Sequence, residues 1–213
     1  DVFTIYEPKE REIYRLPYFP DRILHHAIMN VLEPIWVSTF TADTYSCIKN
    51  RGIHAAAKKV KQALREDPEG TTFCLKLDIR KFYPSINHDV LKSILRRKLK
   101  DKRLLRLLDE IVDSADGVPI GNYLSQYFAN LYLTYFDHWT KEQKRVKHYF
   151  RYADDIVILA SDKAYLHSLM GEIRAYLGDL KLEVKGNWQV FPVAARGIDF
   201  VGYVFFHTHT RMR

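Results

Sequence analysis

Apolar residues recur at helical spacing in three long segments of the chain. The first runs from Asp21, a residue suited to capping a helix, to Trp36. A second helix is predicted from Ile53 to Leu64, and a third, rich in aromatic residues, from Leu124 to Trp139. We interpret the aromatic stripe of the third helix as core, because its members share one helical face: Leu124, Tyr127, Phe128, Leu131, Tyr132, Tyr135, Phe136 and Trp139.

A different, alternating pattern predicts strands elsewhere. From Phe73 to Ile79 every second residue is apolar, which places Asp78 on the face opposite the apolar set. Two β-branched runs with a short turn predict a hairpin over about 146–160. A helix over about 163–178 and short strands near 181–185, 188–193 and 198–206 complete the chain. Mixed helices and antiparallel strands predict an α+β fold rather than an alternating parallel one.

The predicted hairpin carries two adjacent carboxylates at its tip, Asp154 and Asp155. An isolated Asp-Asp pair between two strands is typical of an ordinary β-turn. Asp78, at the end of the alternating strand in the stretch Leu-Asp-Ile-Arg-Lys-Phe-Tyr, supplies a third carboxylate from a second rigid element. Three converging carboxylates are what two-metal phosphoryl transfer requires, and oxygen-only ligands favour Mg²⁺ or Mn²⁺ over zinc.

Composition narrows the class of protein. The 213 residues, of which 47% are hydrophobic, are enough for one domain or one domain with a lobe. Apolar runs fall far short of the ~20 residues that span a bilayer, so no membrane partner is expected. Cys47 and Cys74 form no CxxC motif, which favours a reducing cytoplasm. A first residue of Asp1 rather than Met favours an excised domain.

The net charge of +7 is unevenly distributed. A basic helical stretch reaches about Val112, and between 92 and 106 it is opposed only by Asp101. This stretch is either a solvated helix face or a surface for a phosphate backbone, and the sequence leaves both readings open. Its basic residues are Lys92, Arg96, Arg97, Lys98, Lys100, Lys102, Arg103 and Arg106.

Several ordered motifs resemble those of reverse transcriptases of the group II intron and related bacterial lineages. Tyr152-Ala153-Asp154-Asp155 resembles their Y-x-D-D motif, and the stretch from Asp78 to Tyr83 resembles their first metal-binding motif. Five further stretches resemble other motifs of the family. Residues 9–13 and 20–24 resemble one fingers block, 45–52 a second fingers block, 121–126 the G-x-x-x-S motif and 200–203 the primer grip.

The resemblance implies an RNA-directed DNA polymerase with the right-hand palm fold, in which an antiparallel sheet packs on helices. Its fingers would comprise 1–70 with part of 85–115, its palm 71–206, and 207–213 a C-terminal end. A helical thumb would be absent from these residues.

The same resemblance assigns roles to individual residues. Asp78, Asp154 and Asp155 would hold two Mg²⁺ ions, or Mn²⁺, with the Ile79 carbonyl as an extra ligand. Residues expected to bind the nucleotide are Arg11, Arg51, Phe82, Tyr83, Gly121, Gln126 and Lys185. Among these, Tyr83 resembles the steric gate that excludes a 2′-hydroxyl, and Lys181 competes with Lys185 for the place near the leaving pyrophosphate. The primer grip would be Val201, Gly202 and Tyr203.

One departure from the general family pattern bears on fidelity. Ile120 stands where most reverse transcriptases have Gln before the glycine of G-x-x-x-S, and Gln126 follows Ser125 where many relatives have Pro. This combination resembles the error-prone reverse transcriptases of diversity-generating retroelements, because a lost amide removes hydrogen bonds that support selectivity. Alternatively, Ile120 is a packing variant in another bacterial class.

The expected partners are an RNA template, a DNA or RNA primer, dNTPs and a small basic helical accessory protein, in a prokaryotic cytoplasm. Two other readings remain: the reverse-transcriptase domain of a group II intron maturase or an abortive-infection protein, and a non-catalytic RNA-binding scaffold. The chain has no Walker-type loop, GxGxxG or HExxH motif, which argues against other common enzyme chemistries.

Overall fold

The computed structural model describes residues 2–6, 10–14, 17–119 and 123–213, with side chains from Tyr6 and from residue 17 onward in these ranges. These residues divide into two compact units, each formed by two stretches of the chain. The first unit comprises 1–40 and 81–134, and the second comprises 41–80 and 135–213. No helix in the described ranges is long and apolar enough to cross a membrane.

The first unit contains an antiparallel β-hairpin and helices. Its elements are β1 (Val2–Tyr6), β2 (Glu10–Tyr14), α1 (Ile23–Val37), α3 (Phe82–Ser85), α4 (His88–Lys98), α5 (Lys102–Val112) and the start of α6 (Tyr123–His138). Within this unit the predicted aromatic stripe of α6 is buried from Leu124 to Tyr132, and the Trp36 ring of α1 lies 5.8 Å from the Phe128 ring and 6.3 Å from the Tyr127 ring. Farther along the stripe, in the second unit, Phe136 is buried, whereas Tyr135 and Trp139 are half-buried.

The second unit contains α2 (Ile53–Glu66) and the sheets. A four-stranded antiparallel sheet has the order β4-β5-β3-β6, and a three-stranded sheet has the order β7-β8-β9. The bounds are β3 (Phe73–Asp78), β4 (His148–Tyr152), β5 (Asp155–Ala160), α7 (Lys163–Asp179), β6 (Gln189–Pro192), α8 (Val193–Arg196), β7 (Ile198–Phe200), β8 (Tyr203–Phe205) and β9 (Thr210–Met212).

Alternation along β3 and β5 divides the four-stranded sheet into two faces. On one face Cys74 pairs with Leu159 and joins a core cluster with α2 and the three-stranded sheet, including Val60, Phe200 and Phe205. Leu75 and its register partner Ile158 point to the opposite face by alternation, and α7 packs against β3, β5 and β6. Asp78 lies on the Cys74 face, as the alternating pattern predicts.

The structure corrects four sequence predictions. Helix α1 begins after a kinked turn over Tyr18–Arg22, in which Phe19 is extended, so its N-cap residue is Arg22 rather than Asp21. The basic stretch forms two helices, because Asp101 accepts a hydrogen bond from the Leu104 amide (2.8 Å) and starts a new helix, α5. The strand predicted near 181–185 is only a single bridge between Ile79 and Val184.

The fourth correction concerns 198–206, which forms a hairpin instead of one strand. Val201 (φ 48°) and Gly202 (φ 85°) both lie in the left-handed region and form a two-residue turn between β7 and β8. Two positive φ angles match the twist of a tight hairpin. A further strand, β9, pairs with β8 and was not predicted.

Candidate active site

The turn between β4 and β5 presents Asp154 and starts β5 with Asp155. Tyr152 pairs with Asp155, which leaves only Ala153 and Asp154 in the turn, and Ala153 has a left-handed φ of 55°. The Arg151 guanidinium donates to the Ala153 carbonyl at 3.0 Å from inside the protein. The turn that carries the carboxylates is therefore fixed by a side chain from the preceding strand.

Arg151 is itself held by a buried network. Its Nε and Nη2 donate to the two Asp137 carboxylate oxygens at 2.7 and 2.6 Å, and both side chains are fully buried. The Tyr149 hydroxyl (2.5 Å) and the Thr44 hydroxyl (2.9 Å) also donate to Asp137. Satisfied buried networks of this kind rigidify their surroundings, and removing one partner leaves an uncompensated charge.

The strand register brings the three carboxylates together within the second unit. Asp78, at the end of β3, is the antiparallel partner of Asp155. The Ile79 amide donates to the Asp154 carbonyl at 3.3 Å, which joins the turn to the chain just beyond Asp78. The side chain of Asp78 lies close enough to that of Asp154 to raise the pKa of Asp154.

Two lysines occupy carboxylate oxygens in this cluster. Lys185 Nζ lies 2.5 Å from Asp78 Oδ2, and the Lys185 amide donates to the Asp78 carbonyl at 2.8 Å. Lys76 Nζ forms an ion pair with Asp155 Oδ1 and lies 5.0 Å from the centroid of the Phe200 ring. With all five groups ionised, three carboxylates face two ammonium groups, and the cluster retains a net negative charge.

Burial and mutual repulsion raise the pKa of the carboxylates at the turn. Burial first, and then the neighbouring Asp78, raise the pKa of Asp154 to about 6. Burial also raises the pKa of Asp155, although the Lys76 ammonium opposes the shift. Both carboxyl groups are therefore harder to ionise than exposed ones.

The donor set fits a divalent cation. Asp78 Oδ1 is buried and has no hydrogen-bond donor, so one carboxylate oxygen is available to a further positive charge. The oxygen-only composition of the cluster suits Mg²⁺. Nevertheless, no group of three His, Cys, Asp or Glu side chains in the described ranges is arranged to enclose a metal. In this arrangement Asp78 and Asp155 each form an ion pair with a lysine.

Other residues that the sequence singled out lie in the first unit. The Tyr83 hydroxyl donates to Gln126 Oε1 at 2.6 Å, and the buried Phe82 ring meets the Tyr83 ring edge-on at 5.5 Å. Ser125 is buried, and the Val118 amide donates to the Tyr83 carbonyl at 2.9 Å. The fidelity and nucleotide-binding residues Ile120 and Gly121 lie outside the described residues, as does the side chain of Arg11.

The remaining candidates belong to the second unit. Arg51 Nη1 donates to the Thr41 carbonyl at 3.0 Å. Val201 and Gly202 form the β7–β8 turn, and Tyr203 begins β8. Lys185 is the lysine that contacts Asp78, whereas Lys181 lies in the turn after α7 with φ 60°.

The sequence reasoning missed two residues of this site. Lys76 precedes Asp78 by two residues, so strand alternation alone places both on one face, and that signal could have been used. Arg151 directly precedes the Tyr-x-Asp-Asp motif, but its buried partner Asp137 comes from α6 and gives no local signal.

Comparison with known proteins identifies the family. The sequence profile described as "Reverse transcriptase (RNA-dependent DNA polymerase)" matches residues 7–205, which is most of the chain. The chain belongs to the reverse transcriptase family. The resemblance inferred from the Y-x-D-D and Asp78 motifs is thereby confirmed at the level of the family.

Relatives of this reverse transcriptase domain include proteins of group II introns. Protein YkfC of Escherichia coli (strain K12) is 25% identical over 255 residues, covering 97% of this chain and 67% of that protein. Group II intron-encoded protein LtrA of Lactococcus lactis subsp. cremoris is 24% identical over 140 residues, covering 61% of this chain and 23% of LtrA. Nuclear intron maturase 4, mitochondrial, of Arabidopsis thaliana is 29% identical, and this chain spans 17% of its length.

Solved structures show the same fold. Telomerase from Candida tropicalis in complex with a TWJ fragment of telomeric RNA has a TM-score of 0.73 and 14% identity, covering 99% of this chain and 44% of that one. Apo telomerase from Candida tropicalis truncated from its C-terminal domain has a TM-score of 0.69 and 11% identity, covering 100% of this chain and 54% of that one. The predicted α+β, palm-type fold of the reverse transcriptase domain is confirmed.

Proposed function

We propose that this domain is an RNA-directed DNA polymerase that adds dNTPs to a primer 3′-hydroxyl. The observation that carries the proposal is the convergence of Asp78, Asp154 and Asp155 from two adjacent strands, with one Asp78 oxygen buried and without a donor. A purely structural cluster would have neutralised or satisfied these groups.

The residues that would hold two Mg²⁺ ions, or Mn²⁺, are Asp78, Asp154 and Asp155, with the Ile79 carbonyl as an extra ligand. When bound, such ions activate the attacking hydroxyl and neutralise the leaving pyrophosphate. The rigid β4–β5 turn and the Arg151–Asp137 network support this role, because ligand carboxylates need precisely held elements.

Two lysines contact the carboxylates that would hold the divalent ions. Lys76 and Lys185 neutralise part of the cluster and keep Asp155 and Asp78 oriented. Their side chains are about a quarter to a third exposed. Lys185, once displaced from Asp78, is the cation that we assign to the leaving pyrophosphate, with Lys181 as the other candidate.

Nucleotide binding is assigned to a second set of residues. Tyr83 excludes the 2′-hydroxyl, and its hydrogen bond to Gln126 and edge contact with Phe82 support a fixed ring position. Arg11 and Arg51 grip the triphosphate, since an arginine fork suits phosphate oxygens. Gly121 completes this set, and Val201, Gly202 and Tyr203 form the primer grip.

The finer classification of the domain is also part of the proposal. Ile120, Ser125 and Gln126 support a diversity-generating retroelement enzyme that is error-prone at template adenines.

The domain boundaries and partners are likewise proposed. We assign the fingers to 1–70 with part of 85–115 and the palm to 71–206. Partners would be an RNA template, a DNA or RNA primer and a small basic helical accessory protein. The two thiols, Cys47 and Cys74, support a reducing prokaryotic cytoplasm.

A second candidate function is RNA binding in the manner of an intron maturase. It is favoured by the similarity to group II intron-encoded protein LtrA and to nuclear intron maturases.

The basic stretch of the first unit contributes ion pairs within that unit. Lys92 pairs with Asp113, Arg96 with Asp109, and Arg106 with Glu110. The reading of this stretch as a solvated helix face thereby gains support relative to a phosphate-binding face.

Primer extension tests the polymerase proposal. A primer annealed to an RNA template is incubated with Mg²⁺, all four dNTPs and either wild type or the Asp154→Ala/Asp155→Ala variant. We expect extension by wild type and its loss in the variant. No extension by a folded wild type that binds RNA would contradict the proposal and favour the maturase-type or scaffold function.

A further inference from the structure

A cavity of about 780 Å³ lies in the second unit between α2 and the β8–β9 hairpin. Its volume is in the range of pockets that bind small organic groups such as a nucleotide. Three basic side chains and three histidines line it, and no carboxylate does so among the residues that the structure describes. The cavity therefore offers positive charge without an internal counter-ion.

The helical wall presents its charges in a row. His54, Lys58, Lys61 and Arg65 follow at steps of four, three and four residues, so they share one face of α2. From Lys58 to Arg65 the row extends about 10 Å, the axial length over which one nucleic-acid strand carries about three phosphates. Arg65 pairs with Glu66, whereas neither Lys58 nor Lys61 forms an ion pair with a carboxylate in the described ranges.

The opposite wall is a preorganised aromatic platform. The Phe206 and His209 rings are stacked, with centroids 4.5 Å apart and an angle of 10° between their planes. The Phe206 amide donates to the His209 carbonyl at 2.9 Å, and this bond closes the turn. Gly197 leaves room for the Phe206 ring, since a Cβ there would lie 2.6 Å from Phe206 Cζ.

The platform remains accessible to a further ring. His209 is exposed, so the stack can be continued on its outer side. On the same side of the cavity, His207 Nε2 lies 3.0 Å from the Thr71 hydroxyl, which anchors the loop to the body of the unit. Tyr203 lies under Lys61, whose Nζ is 5.9 Å from the ring centroid.

A row of cations facing stacked aromatic rings is the chemistry by which proteins bind single-stranded nucleic acid. We propose that this cavity binds a single-stranded segment of RNA or DNA, with its backbone along Lys58, Lys61 and Arg65 and a base stacked on His209. The identity of the partner as nucleic acid rests on the proposed function, but the binding requires neither metal nor dNTP.

Fluorescence anisotropy in EDTA tests this proposal, with end-labelled oligouridylate and oligothymidylate of about ten nucleotides as probes. The double variant Lys58→Gln/Lys61→Gln should bind these oligonucleotides about tenfold or more weakly than wild type at about 0.1 M salt. Its slope of log K against log salt concentration should be smaller in magnitude by about 1.4, because each lost phosphate contact on a single strand lowers it by about 0.7. Lys59→Gln is the matched control, because Lys59 is exposed on the same helix but does not line the cavity.

A second variant separates stacking from charge. His209→Ala should weaken oligonucleotide binding about fivefold or more, because it removes the ring on which a base stacks. The salt slope should stay unchanged, because the lysines that contact the phosphates remain. Circular dichroism and thermal unfolding confirm that each variant is folded. Tighter binding of oligouridylate or of oligothymidylate identifies RNA or DNA as the preferred strand.

Three results would overturn the proposal. The double variant could bind the oligonucleotides with wild-type affinity and salt slope, or Lys59→Gln could lose as much affinity as the double variant. The wild-type protein could also bind a polyglutamate peptide as tightly as the oligonucleotides. The last result would identify an acidic protein as the partner. Because no metal or dNTP is present, these outcomes are independent of primer extension. Failure of the cavity variants to weaken binding leaves the polymerase proposal intact, and failed extension leaves the binding result intact.

Discussion

Asp154 lies half-buried in the β4–β5 turn, next to Asp78, and forms no ion pair with the residues that the structure describes. Its pKa is raised from 3.8 to about 6, so folding favours the protonated form. The stabilising effect of protonation is complete below pH 3.8 and is lost as the pH rises through 6. At pH 7 the ionised carboxylate therefore opposes folding, as expected for a group placed to bind metal.

Replacing this charge should stabilise the metal-free protein. Asp154→Asn is expected to raise the free energy of unfolding by about 1–3 kcal/mol at pH 7, and the gain should vanish near pH 4. Urea unfolding in EDTA at the two pH values measures both effects. Asp116→Asn, at an exposed carboxylate, serves as the control. A gain that is absent at pH 7, or equal at both pH values, would show that burial of the charge carries no such cost.

Ile120 offers a test of fidelity at the residue scale. Ile120→Gln should lower errors opposite template adenine more than errors opposite other bases, because the amide restores hydrogen bonds that support selectivity. Sequencing of primer-extension products gives the error spectrum. Ile120→Leu is the control for side-chain volume. An unchanged spectrum would count against the retroelement assignment and favour a packing variant.

At the scale of elements, the sequence predicted the helices and strands that have a regular spacing of apolar residues. Helices α2, α6 and α7 and the strand before Asp78 follow directly from apolar spacing. The short elements after α7 do not, because their geometry depends on left-handed residues such as Lys181 and Val201 that carry no glycine or asparagine signal. The pairing of Lys76 and Lys185 with the carboxylates, and of Arg151 with Asp137, required the register of several strands and was not predicted.

The turn that follows α5 gives an element-scale prediction. Gly117 has a φ of 61°, and a Cβ there would lie 2.5 Å from the Tyr83 carbonyl oxygen. Gly117→Ala should lower the free energy of unfolding by about 1–3 kcal/mol, through backbone strain and through displacement of Tyr83. Gly171→Ala in α7, where the new methyl meets nothing within 4 Å, should instead raise it by up to about 1 kcal/mol. Equal stability of Gly117→Ala and wild type in urea unfolding would refute this description of the turn.

For the whole molecule, the two thiols report on folding. Cys47 is exposed, whereas Cys74 is buried in β3, where burial raises the pKa of its thiol to about 12. A maleimide should label Cys47 in the native protein and Cys74 only after global unfolding, since a buried, protonated thiol is inert. Mass spectrometry of digested samples with and without urea locates the label. Rapid native labelling of Cys74 would mean that the second unit opens locally.

The central claim is that Asp78, Asp154 and Asp155 form a divalent-cation site whose oxygens are partly held by two lysines. Electron paramagnetic resonance of Mn²⁺, titrated into the protein without nucleotide, tests it most directly. We expect wild type to remove free Mn²⁺ signal, Asp154→Asn/Asp155→Asn to bind Mn²⁺ about tenfold or more weakly, and Asp116→Asn to bind it as wild type does. Lys185→Met should bind Mn²⁺ more tightly, because the Lys185 ammonium group no longer competes with the ion for the Asp78 carboxylate. Equal Mn²⁺ binding by wild type and the double variant would contradict the account.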